Sequence, residues 1–297
     1  MNINPATDIL SNDQKAFYAE QGYLQLPGFV SGDWLARLKA ASQTFVERSR
    51  SYTQSDGLLD LAPGHTADNP RIRRLISPVD NHETFRAFAI DGPAAQLAMD
   101  LLGGPVRFHH SKLNYKWADG GEEIVWHQDI QFWPHTDFTP LTIGVYLDAV
   151  DDEMGPMGVL PGSHNGPLYD LYADDGSWAG AMNRADIDML DLDRMAWLKG
   201  PAGSVTIHNC CMVHGSVPNN SSRPRPLLLQ TYSAEGSFPI GNIGANSTRS
   251  GMAGHVIGGT PAMTLTIDGR TMHASPDWSQ KGGTSPTIFG SQQNDPK

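Results

Sequence analysis

His127 and Asp129, in Trp126-His127-Gln128-Asp129, concentrate the most chemistry in the least sequence. On an extended strand, residues two apart project to the same face, so the pair can present an imidazole and a carboxylate side by side. A second histidine would complete a set that occupies one face of an octahedral ion and leaves three positions open. That arrangement suits iron(II), which needs the open positions for a bidentate 2-oxo acid and for dioxygen. His214 supplies the histidine, in Val213-His214-Gly215-Ser216 at the end of an apolar run, and Arg225 follows at 214 + 11. A strand pair that returned Arg225 to the same interior would aim its planar fork at a carboxylate. 2-Oxoglutarate chelates through C1 and C2, and its far C5 carboxylate needs such a cation. Ser216 can hydrogen-bond the same group.

Other residues compete for these roles. His135-Thr136-Asp137 repeats the His-x-Asp spacing, but it follows Pro134 among threonines and prolines, which is loop chemistry. His208 shares a strand run with His214, yet eleven positions onward stands Asn219, not arginine. Arg223 precedes Arg225 by two, and its Arg-Pro context predicts an exposed turn. His109 and His110 read as structural, one of them with a route to the pocket. The glycines at 155, 158 and 162 neither follow a strand nor open a helix, so they are turn-makers and not a phosphate cradle.

The ordered set resembles the phytanoyl-CoA dioxygenase family, particularly its bacterial members. It rests on RFHHSKLNYK at 107–116, the 126–129 motif, GPMGVLPGSH at 155–164, His214-Gly215-Ser216, the Arg-Pro-Arg at 223–225 and Pro-Asp-Trp-Ser at 276–279. The resemblance spans most of residues 12–290. It implies a jelly-roll fold, iron(II), 2-oxoglutarate and dioxygen, with hydroxylation of an unactivated carbon and release of succinate and carbon dioxide. By position, Asn114 is similar to a family residue that contacts the C1 end of the co-substrate. Related halogenases lose the carboxylate, so Asp129 implies oxidation without halide. Two alternatives stay open: a cupin-like non-oxidative enzyme using the same triad with another metal, and a jelly-roll metal-binding protein without activity.

The elements that must position these residues follow from periodicity. Asp13 is expected to cap a helix that ends at Gly22. Ser31 is expected to cap a second helix with Trp34, Leu35, Leu38, Ala41, Phe45 and Val46 on one face. Residues 51–70 read as loop, and 82–102 as a third helix. From 106 onward, short apolar runs at 106–117, 124–128, 141–147, 204–213 and 227–233 alternate with turn residues, as in a sandwich or barrel. The expected fold is mostly β with flanking helices around a double-stranded β-helix, the jelly roll. One domain fills 1–297: a helical part at about 10–104, the core at about 105–235 and an irregular part at 236–297.

Composition bounds the partners. The 297 residues are 39% hydrophobic and 18% charged, enough apolar material for a sizeable core. A net charge of -11 disfavours nucleic acid and anionic membranes. Two adjacent cysteines, Cys210 and Cys211, fit a reducing cytoplasm without a bridge between them. A small substrate is expected, and the sequence leaves oligomeric state open. Phe132, Trp133 and His135 follow the metal pair closely enough to wall its pocket. Arg73 and Arg74, with Arg71, form the one dense basic spot and suit a substrate carboxylate.

Overall fold

The computed structural model describes residues 9–118, 122–240, 250–261 and 264–273; the motif at 276–279 lies outside them. Helix α1 (Asn12–Gln21) is capped by Ser11, not Asp13. The Ser11 hydroxyl accepts from Gln14 N–H, and the Gln14 side chain accepts from Ser11 N–H. This reciprocal pair satisfies two open donors where Asp13, already inside the first turn, satisfies none. The helix ends at Gly22 with φ 78°, as expected. Strand β1 (Tyr23–Leu26) and helix α2 (Gly32–Ser49) follow. In α2 the stripe Leu38, Ala41, Phe45 and Val46 is buried, with Trp34 and Leu35 packed beside it.

Two expectations fail here. Residues 51–70 are not all loop, because β2 (Leu59–Leu61) pairs with β3 (Ile72–Ile76) and buries Leu59. Nor is 82–102 one helix. Short helices α3 (Pro78–Asn81) and α4 (Glu83–Arg86) lead into a π-type turn at Ala87–Asp91, and α5 (Pro93–Leu102) starts afresh. Pro93 has no N–H to donate and fits a first turn only, so the helix restarts there.

The remaining chain supplies β4 (Val106–Lys116), β5 (Ile124–His127), β6 (Leu141–Tyr146), β7 (Met157–Val159), β8 (Ala196–Leu198), β9 (Val205–Asn209), β10 (His214–Ser216) and β11 (Arg225–Ala234). A large antiparallel sheet runs β1-β9-β6-β11-β4-β3-β2, and a smaller one runs β5-β10-β7-β8. Tyr146, Leu227 and Leu229 of the large sheet pack with Met157, Val159 and Leu198 of the small one. On the other face of the large sheet, Leu113 and Tyr232 join the core that holds Leu38, Phe45 and Leu97 of the helices. The result is a mixed α and β molecule with large antiparallel sheets. The expected strand over 204–213 stops at Asn209. Cys210 and Cys211 lie in the turn that follows, buried and unbridged, with sulfurs 3.8 Å apart.

One irregularity in β4 matters for the site. Phe108 pairs with Tyr232 and His110 with Thr231, leaving His109 as an extra residue in a β-bulge. A one-residue insertion exchanges the two faces of a strand. Before the bulge, Val106 and Phe108 serve the helix-side core; after it, Leu113 and Tyr115 do. His110, Lys112, Asn114 and Lys116 consequently face between the sheets.

Candidate metal centre

β5 and β10 lie side by side in the small sheet, with His127 opposite His214. This register brings together two histidines 87 positions apart, with ring centroids 4.2 Å apart. His127 ends its strand, and Asp129 opens a 3-10 turn instead of continuing the strand. Gln128 between them keeps an extended backbone, so the alternation survives. Gln128 is fully buried. Its amide donates to the carbonyls of Cys211 (2.7 Å) and Pro167 (3.1 Å), and its oxygen accepts from Tyr169 N–H at 2.9 Å. The residue between the two ligands therefore clamps their loop to two neighbouring segments.

Metal-binding atoms of His127, Asp129 and His214 lie within 4.8 Å of one another, the sole such cluster among the described residues. Asp129 Oδ1 is 3.8 Å from His127 Nε2 and 3.9 Å from His214 Nε2. Each histidine turns its Nδ1 to a backbone carbonyl, Val125 at 2.8 Å and Met212 at 3.0 Å. A proton on Nδ1 leaves the Nε2 lone pair free for a cation. Burial holds both imidazoles below their usual range, His214 the further of the two. Burial pushes the Asp129 carboxyl upward, but the adjacent His208 and His214 imidazoles and the Lys112 ammonium overcome it and hold the group well below the usual carboxylate range. Neutral imidazoles facing an ionised carboxylate fit a divalent ion.

Arg225 reaches this interior by another route than expected. β10 and β11 do not pair; they sit in opposite sheets, and Arg225 pairs with Lys116 of β4. Arg225 is 4% exposed, its Nε and Nη1 lack hydrogen-bond partners, and its guanidinium lies 5.8 Å from the Tyr146 ring. An unpaired buried guanidinium is costly unless an anion completes it. Beside it, Lys116 Nζ donates to Ser216 Oγ at 2.7 Å and to Val217 O. Burial, then the neighbouring Arg225, lowers the Lys116 ammonium to about 7. Asn114, Lys116 and Arg225 line a cavity of about 350 Å³ together with Arg71, Arg73 and Arg74. Arg223 is exposed and paired with Asp151 at 2.7 Å, as its turn context predicts.

The other expected residues gather elsewhere. Phe132 packs edge-on against His127 at 5.8 Å and remains 39% exposed, at the rim of the metal centre. Trp133 and His135 are buried with His109 and His110 in a cluster of rings. Arg73 and Arg74 do not meet this cluster; they line the cavity with Arg225, and Arg73 pairs with Glu122 at 2.7 Å. Asp137 accepts from Thr139 and Ser237 and ties a loop, so the second His-x-Asp holds no metal position. Nothing in the spacing singles out Lys116 as a site residue, and the face carrying His110 and Lys112 is only a second choice for the pocket. The polar alternation His110, Lys112, Asn114, Lys116 was the available signal, hidden by the bulge before it.

A family model described as phytanoyl-CoA dioxygenase (PhyH) matches residues 18–227. A Stutzerimonas stutzeri protein described as "Probable alpha-ketoglutarate-dependent hypophosphite dioxygenase" is 30% identical over 237 residues, 78% of this chain and 82% of its own. The L-proline trans-4-hydroxylase of Streptomyces griseoviridis is 29% identical over 246 residues, 76% of this chain and 88% of that enzyme. In fold, EctD from S. alaskensis, solved with 2-oxoglutarate and 5-hydroxyectoine, aligns with a TM-score of 0.66 at 23% identity, covering 84% of this chain and 88% of that one. A metal triad and a buried arginine with unpartnered N–H groups fit such enzymes, and the chain belongs to the phytanoyl-CoA dioxygenase family of iron(II)- and 2-oxoglutarate-dependent oxygenases.

Proposed function

We propose that this oxygenase hydroxylates a compact, anionic small molecule, with one oxygen atom of dioxygen entering the product and the other entering succinate as carbon dioxide leaves. Iron(II) held by His127, Asp129 and His214 supplies the oxidising chemistry when 2-oxoglutarate and dioxygen are bound. Arg225 holds the C5 carboxylate, with Ser216 and Asn114 beside it, and Lys112 contributes positive charge nearer the metal. Phe132, Trp133 and His135 form the substrate wall. Arg73 and Arg74 draw anions toward the cavity they share with Arg225.

The observation that carries this reading is the concentration of positive side chains on one cavity of a chain with net charge -11. The relatives' substrates agree with it, because hypophosphite is an anion and L-proline carries a carboxylate. The strand orders β4-β11-β6-β9 and β5-β10-β7-β8 support a double-stranded β-helix core. A single catalytic unit in a reducing cytoplasm fits the same picture, with two free, buried cysteines. Among the described residues no helix is long and apolar enough to cross a membrane.

The test is substrate-stimulated succinate release from the iron-loaded protein, with hypophosphite, L-proline and other small carboxylates against an acyl-CoA panel. Stimulation and an oxygenated product are expected from a small anion. Stimulation by acyl-CoA alone would refute the compact-substrate reading.

A further inference from the structure

His208 lies on β9 and faces between the sheets at the level of the metal centre. It is 1% exposed, and neither ring nitrogen has a hydrogen-bond partner of ordinary geometry. Its ring lies 4.3 Å from that of His214, and its Nε2 is 3.5 Å from Asp129 Oδ2. Its register partner in β6 is Thr142, whose hydroxyl points at the same Oδ2 from 3.4 Å. The two oxygens of Asp129 thus have separate surroundings. Oδ1 faces the Nε2 atoms of His127 and His214, while Oδ2 faces Thr142 and His208.

That division has a chemical consequence. A carboxylate free to rotate can bind a metal through both oxygens and take a position that the co-substrate or dioxygen needs. A carboxylate whose second oxygen is hydrogen-bonded binds through one. A buried ring N–H also costs free energy unless it finds an acceptor, and Asp129 Oδ2 is the acceptor His208 Nε2 faces. Closing 3.5 Å to an ordinary hydrogen bond takes a shift of roughly half an ångström.

We infer that His208 is a positioning residue for the metal-binding carboxylate: its Nε2–H donates to Asp129 Oδ2 and, with the Thr142 hydroxyl, leaves Oδ1 alone to bind iron. The inference rests on the metal assignment and goes beyond its three ligands. It also accounts for a buried histidine on this strand where a packing role alone would be filled by an apolar side chain.

The test compares His208→Gln with His208→Phe. A glutamine amide places an N–H near the position of histidine Nε2; phenylalanine keeps the ring volume and loses the donor. Iron(II) and cobalt(II) affinities are measured by titrating the chelator-stripped protein, alongside the cobalt d–d spectrum and the melting temperature of the stripped form. His208→Phe is expected to bind metal on the order of 10- to 100-fold more weakly. His208→Gln should stay within about threefold of the unaltered protein, because its donor remains. Equal affinities in both variants would overturn the inference, as would equal losses at unchanged melting temperature. A cobalt spectrum showing one nitrogen ligand fewer in either variant would overturn it in favour of direct coordination by His208. Failure of the unaltered protein to bind either metal would instead strike the triad assignment.

Discussion

Arg225 and Arg223 show how little residue type says without burial. Both are arginines in one Arg-Pro-Arg motif, but one is 4% exposed and unpaired while the other is surface-paired with Asp151. Removing the buried charge-assisted contact should cost about 2–4 kcal/mol, roughly 30- to 1,000-fold in apparent 2-oxoglutarate affinity. Arg225→Ala is therefore expected to raise the Michaelis constant for 2-oxoglutarate by that factor. Arg223→Ala should change it less than about threefold, since exposed ion pairs contribute little. Lys116 adds a pH signature. Its ammonium sits near 7 instead of the ordinary 10.5, lowered by burial and by Arg225 and raised slightly by Glu123. Between those values the unfolded chain holds a proton that the folded chain lacks, so stability without ligand should rise with pH across that window. A bound carboxylate favours the protonated amine, so 2-oxoglutarate affinity should fall as pH climbs above about 7, at most roughly tenfold per unit. Calorimetric titration at pH 7 and 9 checks this, and Lys116→Met should flatten the profile.

The ladder between β5 and β10 tolerates little change. A Cβ on Gly215 would lie 2.7 Å from the Ile124 carbonyl oxygen and 2.7 Å from the Trp126 ring. Backbone cannot swing aside as a long side chain can, so Gly215→Ala must push the strands apart. That would separate His127 from His214, and the expected result is a loss of about 1–3 kcal/mol in stability with weakened iron binding. Melting temperature and metal titration test it; an unchanged protein would mean the ladder has slack. This juxtaposition was legible in part. His-x-Asp, the later histidine and the arginine eleven positions on are sequence facts, and α2 was readable from its stripe. The sheet that Arg225 belongs to was not, because spacing along a chain cannot tell a returning hairpin from a crossing between sheets. His208 was weighed as a ligand and set aside; its approach to Asp129 crosses from β9 of the large sheet to the turn after β5 of the small one, which no local pattern encodes.

At the scale of the molecule, a chain of net charge -11 must admit a dianionic co-substrate. Arg71, Arg73 and Arg74, half-buried along the cavity, oppose that field locally, and charges near the surface act through salt-screened steering. The apparent second-order rate for 2-oxoglutarate is expected to fall with ionic strength, and Arg71→Ser with Arg74→Ser should flatten that dependence. Stopped-flow binding across a salt series decides it; identical slopes would assign these arginines to structure alone. The extra residue in β4 has a consequence of another kind. It works like a shift of reading frame: the strand is written in two registers, and His109 is the character that separates them. Substituting His109 alters one ring among several, and deleting it would join Phe108 directly to His110 and leave His110, Lys112, Asn114 and Lys116 between the sheets. Flattening the bulge with His109 kept would instead make one half of β4 slip by a residue and change faces. In homologues, a one-residue gap at this point would therefore mark a straightened strand with the same cavity lining, whereas a gap between 110 and 116 would line the cavity with a different alphabet even where the metal ligands align without a break.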